Sequence, residues 1–91
     1  MNIRKIKLAL TVGLMNNEKG VNVLPFIVDQ MNGFKDEVGT FISTSEVRKN
    51  QLNRNNVKKT YAMRFENVTL NVDLVSNPMT NSQTVHGFQF R

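Results

Sequence analysis

The first part of the chain alternates between apolar and other residues. Apolar side chains occupy every second position from residue 6 to residue 14, namely Ile6, Leu8, Leu10, Val12 and Leu14. A period of two is typical of a strand that is buried on one face. The sequence therefore predicts a first strand over residues 6–14, with Lys5 and Lys7 on its outer face.

Two more strands are predicted before residue 45. VNVLPFIV (21–28) is rich in β-branched and aromatic residues, which favour strands. Pro25 cannot donate a hydrogen bond to a neighbouring strand, so an edge position or a bend is expected there. VGTFIST (38–44) predicts a third, shorter strand, and the segments between these stretches contain the Asn and Gly residues that favour turns.

A short helix is predicted after the third strand. Ser43 and Glu46, three residues apart, match a capping box at a helix N-terminus. TSEVRKNQLN (44–53) has room for two or three helical turns, although it contains only two large apolar side chains. The asparagine-rich segment that follows favours local hydrogen bonds between side chain and backbone, so the helix is expected to end there.

The clearest pattern lies in YAMRFENVTLNVDLV (61–75). Its large apolar residues are odd-numbered before Glu66-Asn67 and even-numbered directly after it. A two-residue turn at this dipeptide brings both sets to one face, because cross-strand partners share a face. The sequence therefore predicts a β-hairpin in which Met63 pairs with Leu70, with a β-bulge at residues 66–67 as the competing interpretation.

The predicted element order is strand, strand, strand, short helix, strand, strand. This order matches the five-stranded OB barrel, whose helix lies between strands three and four. The sequence thus predicts a mainly β fold with one short helix, a small OB-like barrel, with a two-layer α+β fold as the alternative. Residues 1–76 form the predicted domain, and residues 77–91 a polar tail that contains Phe88 and Phe90.

Composition limits the class of protein. With 91 residues, of which 40% are hydrophobic and 21% charged, the chain is expected to form one folded domain. It has no apolar run near the roughly 18 residues that a spanning helix needs, so no membrane partner is expected. Cysteine is absent, which excludes disulfides and thiolate metal sites and suits the reducing cytoplasm.

No catalytic or metal-binding motif stands out. The glycines are too far apart for a phosphate-binding loop, and His86 has no cysteine or acid close to it in sequence. Asp36 and Glu37 are adjacent, so on an extended chain their side chains point apart instead of converging as an acid–base pair. We therefore expect no enzymatic activity, no cofactor, no metal and no small-molecule substrate.

Positive charge is the feature that indicates a partner. The chain has a net charge of +5, and RKNQLNRNNVKK (48–59) holds five of its 12 lysines and arginines. No acid occurs from residue 48 to residue 64. Cations at this density favour polyanionic partners. The predicted nucleic-acid contacts are Lys5, Lys7, Arg48, Lys49, Arg54, Lys58, Lys59 and Arg64, which merge into one stripe if the first and fourth predicted strands are neighbours.

Aromatic residues form the second part of the functional hypothesis. Bases stack on exposed aromatic rings, and Phe34 and Tyr61 are the candidates, although Tyr61 also fits a core position. Phe88 and Phe90 are candidates for contact with a second subunit, because an aromatic tail can complete an exposed sheet edge. A homo-oligomer is therefore also expected.

Two functional hypotheses follow. The first is a small basic module that binds single-stranded nucleic acid, DNA or RNA, largely without sequence preference and without chemistry. The alternative is a small accessory or assembly protein of a virus or mobile element, such as a phage or plasmid, that acts through protein–protein contacts. The basic segment favours the first hypothesis, and the aromatic tail favours the second.

Overall fold

Four antiparallel strands form one open sheet in the computed structural model, which describes residues 2–16 and 23–91. The strands lie side by side in chain order: β1 (Phe41–Gln51), β2 (Val57–Phe65), β3 (Thr69–Asn77) and β4 (Ser82–Phe90). They are preceded by the helices α1 (Ile3–Asn16), α2 (Val23–Asn32) and the short α3 (Lys35–Val38). Consecutive strands pair with each other, so β1 and β4 form the two edges of the sheet.

The segment predicted as the first strand is the helix α1, so that prediction is wrong. Ile6 and Leu10 are buried, whereas Leu8 between them, which alternation would place on the same face, is exposed. The sequence satisfies both periods, because its apolar residues also recur at spacings of three and four. Asn2 supports the helix as an N-cap residue does, since its Oδ1 accepts a hydrogen bond from the Lys5 N–H at 3.1 Å.

Most of the second predicted strand lies in α2, so this prediction is also wrong, while residues 21–22 lie outside the described part of the chain. Val23, Ile27 and Met31 are buried at a spacing of four residues, which is the spacing of one helix face. Pro25 is in the first turn, where a backbone N–H has no acceptor within the helix. Proline therefore interrupts no hydrogen bond of α2.

The predicted short helix is part of the strand β1. The helix over residues 44–53 is wrong, because most of this segment pairs with β2. Ser43 and Glu46, which match a capping box in sequence, pair instead with Arg64 and Tyr61 across the ladder. A helix here would have only two large apolar side chains to bury, whereas the strand gains a ladder of backbone hydrogen bonds.

The predicted hairpin between β2 and β3 is confirmed. Met63 pairs with Leu70 and Tyr61 pairs with Val72, as a two-residue turn at residues 66–67 requires. Met63 and Leu70 are both buried, so apolar side chains meet across the two strands. The competing interpretation, a bulge within one continuous strand, does not apply.

Residues 82–90, assigned to a tail from the sequence, form the strand β4. Phe88 pairs with Val72 and Phe90 pairs with Leu70. The two phenylalanine rings are in edge contact, with centroids 6.4 Å apart and an interplanar angle of 88°. Both pack against the core of their own subunit. Their contact with a second subunit stays a prediction.

The core lies between the helices and one face of the sheet. Its buried side chains are Ile6, Leu10, Val23, Ile27, Met31, Val38, Met63, Phe65, Val68, Leu70, Val72 and Leu74. The predicted five-stranded OB-like barrel is therefore wrong: the sheet in the described residues has four strands, stays open, and is covered on one face by helices. The fold is nonetheless mainly β.

Candidate functional site

The two faces of the sheet differ in what they present. On the face toward the helices, β2 and β3 carry buried apolar side chains such as Met63, Leu70 and Val72. The residues between them point to the opposite side, because side chains alternate along a strand. That opposite side, which we call the open face, has no buried residue.

Cross-strand pairing arranges the open face in four rows. From β1 to β4 the rows are Ser43, Arg64, Thr69 and Arg91; Ser45, Ala62, Asn71 and Gln89; Arg48, Thr60, Asp73 and Gly87; and Asn50, Lys58, Val75 and Thr84. Arg91 follows the end of β4 and is held by two backbone hydrogen bonds with Thr69, at 2.8 and 3.1 Å. The open face is thus mainly polar, although the exposed Val47 and the half-buried Phe88 also border its middle.

Positive charge dominates the open face. Its cations are Arg48, Lys58, Arg64 and Arg91. Asp73 is its acid, and the Asp73 Oδ1 accepts a hydrogen bond from the Thr60 hydroxyl at 2.5 Å. Within the described residues, none of the four cations is in a salt bridge; the ion pair that forms, Lys59 Nζ to Glu46 Oε1 at 3.6 Å, lies on the other face. The cations of the open face are therefore available to a partner.

A shallow groove of about 500 Å³ runs over the middle of the open face. Small side chains such as Ala62 and Thr60 line its floor, and the neighbouring amides of Asn71 and Gln89 line it as well. Arg48 and Arg91 line the groove from diagonally opposite positions: Arg48 is in the third row on β1, and Arg91 is in the first row at the end of β4. The groove can therefore offer amide and hydroxyl hydrogen bonds between two separate positive charges.

The eight cations predicted as nucleic-acid contacts do not form one stripe. The open face carries Arg48, Lys58 and Arg64. Lys49 and Lys59 pair with each other on the opposite face of the same two strands. Lys5 and Lys7 are on α1, in the helical layer. The predicted stripe required residues 6–14 to form a strand beside the fourth predicted strand. These residues instead lie in the helix α1.

Arg54 is in the connection between β1 and β2. This connection is held by its own asparagines: the Asn53 Oδ1 accepts hydrogen bonds from the Asn55 N–H at 2.9 Å and from the Asn56 N–H at 3.0 Å. The Leu52 N–H also donates to the Asn56 carbonyl oxygen at 3.0 Å. The Asn53 side chain thus shapes the turn, and Arg54 is exposed within it.

The aromatic residues predicted to stack on bases are not on the open face. Phe34 lies between α2 and α3, and Tyr61 points to the helical side of the sheet, where it pairs with Val72. Both are half-buried and pack against the core. A partner on the open face would therefore meet neither of these two rings.

Arg91 lies on the open face but was not among the contacts predicted from the sequence. The open face also includes Asn71 and Gln89, which were not singled out. The signal for Arg91 was the alternation of Phe88 and Phe90 in the last segment, which fits a strand as well as a frayed tail. Assigning β4 from that pattern would have placed Gln89 and Arg91 together on one face.

Comparison with known proteins adds no functional assignment. No family model matches the sequence, no curated protein matches it, and no solved structure matches the fold. In the described part of the chain, no group of His, Cys, Asp or Glu is arranged to hold a metal ion. No helix in residues 2–16 and 23–91 is both long and apolar enough to cross a bilayer. The function therefore has to be argued from the surfaces themselves.

Proposed function

We propose that the chain is a non-enzymatic module that binds single-stranded nucleic acid on the open face of the sheet. The observation that carries the proposal is the set of four cations on this face, spread over β1, β2 and the end of β4 and free of salt bridges to described residues. An extended set of cations without salt bridges suits a partner that carries a chain of negative charges. The phosphate backbone of nucleic acid is such a partner. A cytoplasmic location follows from the same proposal, because nucleic acid is abundant there.

Each class of side chain on the open face has a part in this proposal. Arginine and lysine neutralise phosphates, and arginine can donate two parallel hydrogen bonds to one phosphate. Arg64 and Arg91 share a row two strands apart, which places their backbones about 10 Å from each other. Asn71 and Gln89 offer donors and acceptors that suit sugar and base edges.

The width of the sheet favours a single strand over a duplex. The outer strands β1 and β4 are three strand spacings apart, about 14 Å between their axes. The major groove of B-DNA is about 12 Å wide and admits a two-stranded ribbon, so this sheet would not enter it face-on. A flexible single strand can instead follow the open face. With Phe34 and Tyr61 on the helical side, the contacts are mainly to the backbone, and little sequence preference is expected.

The test is a pair of triple variants with the same change in net charge. One removes open-face cations, Arg48→Gln, Arg64→Gln and Arg91→Gln; the other removes helical-layer cations, Arg4→Gln, Lys5→Gln and Lys7→Gln. Anisotropy of a labelled single-stranded oligonucleotide is followed over a salt series. The open-face variant should flatten the slope of log affinity against log salt by about 2, because each lost contact to a single strand contributes about 0.7.

The helical-layer variant shows whether binding uses a local site or follows the net charge of the protein. If the open face is the site, the helical-layer variant keeps a slope close to that of the wild type. Equal losses in the two variants would mean that binding follows net charge alone. A wild-type protein that does not bind at low salt would end the nucleic-acid proposal.

A further inference from the structure

The helix α1 has a second apolar face that is directed away from the core. Leu8, Val12 and Met15 are 65%, 49% and 76% exposed, and they follow each other at spacings of four and three residues. At 3.6 residues per turn these three side chains lie on the side of the helix opposite Ile6 and Leu10, which are buried. We call these three exposed residues the outer stripe.

Cations precede the outer stripe along the same helix. Arg4, Lys5 and Lys7 are exposed in the first two turns of α1. No aspartate or glutamate occurs within α1. On the helix circumference, Arg4 and Lys5 lie on either side of the position of Leu8, one turn before it. The outer stripe is thus an apolar surface with positive charge at its N-terminal end. No acidic residue of α1 can pair with that charge.

We propose that the outer stripe docks on an anionic membrane surface, with α1 lying in the plane of the interface. A bilayer surface combines negative headgroups with an apolar layer directly beneath them, and an interfacial helix with cations and a row of apolar side chains matches both. Leu8, Val12 and Met15 would enter the headgroup–acyl boundary. The cations of the first turns would stay among the headgroups, because long basic side chains extend toward the polar region.

Two other occupants match the outer stripe and its cations less well. A second copy of the chain would bring the same three cations and a net charge of +5 to the contact. Three side chains per subunit are also few compared with the 20–30 residues on each side of a standard interface. Nucleic acid offers phosphates but no apolar layer for Leu8, Val12 and Met15. The anionic bilayer satisfies the charge and the apolar side chains together.

The proposed contact is peripheral and independent of the open face. At 14 residues, α1 is about 21 Å long, shorter than the roughly 30 Å of a bilayer's apolar core. It can therefore lie on the membrane without spanning it, so the proposal departs from the expectation that the lack of a spanning segment excludes a membrane partner. Because the helices cover one face of the sheet, the open face points to the other side of the molecule. One protein can thus present both surfaces at once.

A single tryptophan reports the contact directly. The chain has no tryptophan, so Leu8→Trp places one fluorophore in the outer stripe, and Met79→Trp places one at an exposed site in the β3–β4 connection that is 81% exposed. Phosphatidylcholine vesicles with about 30% phosphatidylserine should shift the Leu8→Trp emission to shorter wavelength. The Met79→Trp emission should stay unchanged, and vesicles of phosphatidylcholine alone should give little shift.

Flotation with the same vesicles separates the charged and apolar contributions. Arg4→Gln, Lys5→Gln and Lys7→Gln together should lower the partition coefficient roughly 100-fold, because each cation near an anionic surface contributes about fivefold. Leu8→Gln with Met15→Gln should lower it at least about tenfold. Met79→Gln is the matched apolar control, and the open-face triple variant is the matched charge control; both should float like the wild type.

Three results would overturn the membrane proposal. The first is a Leu8→Trp emission that anionic vesicles do not shift. The second is an emission shift that grows with protein concentration and needs no vesicles, which would make the outer stripe a contact between two copies of the chain. The third is equal loss of flotation in the helical-layer and open-face variants, which would assign vesicle binding to net charge. None of these results bears on oligonucleotide binding by the open face.

Discussion

Glu66 and Thr40 are joined by two hydrogen bonds that run in opposite directions. The Thr40 N–H donates to the Glu66 Oε1 at 2.7 Å, and the Glu66 N–H donates to the Thr40 carbonyl oxygen at 3.1 Å. Asn67 adds two more bonds, from its N–H to the Val38 carbonyl oxygen at 2.9 Å and from its Nδ2 to the Glu37 carbonyl oxygen at 3.0 Å. The β2–β3 turn is therefore attached to the connection between α3 and β1.

The first prediction concerns the charge of Glu66. Hydrogen bonds from Thr40 hold the pKa of Glu66 below its ordinary value, and the charge of Lys35 acts in the same direction. A carboxyl whose pKa is lowered by folding stabilises the protein above its unfolded pKa, and this stabilisation is lost as the pH falls through the folded pKa. Glu66→Gln should therefore lower the urea midpoint at pH 7, and the difference from wild type should shrink below about pH 4.

The control for this prediction removes a charge that makes no comparable contact with residues 2–16 and 23–91. Asp29 is exposed on α2, so Asp29→Asn takes away one carboxylate without touching the turn. Its urea midpoint should follow that of the wild type over the same pH range. A Glu66→Gln protein with a wild-type midpoint at pH 7 would contradict a stabilising role of the Glu66 charge, because glutamine can still accept the hydrogen bond from the Thr40 N–H.

The second prediction concerns Gly39, which lies directly before Thr40. Gly39 has φ of 83°, and a Cβ built there would be 2.6 Å from the Glu66 Cβ. Gly39→Ala should therefore destabilise the fold by about 1–3 kcal/mol, from backbone strain and from the displaced turn. Gly87→Ala is the matched control, because a Cβ there meets nothing within 4 Å. Its effect should be within about 0.5 kcal/mol, and equal losses at both sites would contradict the prediction.

The third prediction separates the two faces of β2. Met63 is buried and Arg64, the next residue, is exposed on the open face. Met63→Asp should abolish the cooperative thermal transition, because an unpaired buried charge costs several kcal/mol of a total stability of roughly 5–15 kcal/mol. Arg64→Asp should retain the transition. A cooperative melt of wild-type midpoint in Met63→Asp would contradict the hairpin register.

Local patterns were sufficient for the β2–β3 hairpin and insufficient for α1. The hairpin could be predicted because a turn at residues 66–67 brings the apolar side chains between Tyr61 and Leu74 to one face. In α1 the same apolar residues satisfy the period of a strand and that of a helix. The choice depends on a distant requirement: the apolar face of β2 and β3 needs a covering layer, which α1 and α2 provide.

The candidate site was predictable only in part, for the same physical reason. Lys58 and Arg64 could be placed on the outer side of β2 because they alternate with its apolar residues. The position of Arg48 depends on the register of β1, which shifts between Glu46 and Arg48. Pairing between strands across a bulge is not encoded in the alternation of one strand. Adding Arg91 to this surface required recognising β4 as a strand.

The last prediction compares Arg91, which lies on the open face but was not predicted as a contact, with Arg54, which was predicted as one. Arg91 extends the first row of the open face through its bonds to Thr69. Arg54 lies in the β1–β2 connection, at the opposite end of strand β2. Arg91→Gln should flatten the salt slope for a single-stranded oligonucleotide by about 0.7, the contribution of one phosphate contact. Arg54→Gln removes the same charge and should leave the slope nearly unchanged.

The backbone bonds between Arg91 and Thr69 do not involve the side chain, so both variants should melt like the wild type. A flatter slope in Arg54→Gln than in Arg91→Gln would contradict the open face as the site and would assign the phosphate contact to the β1–β2 connection.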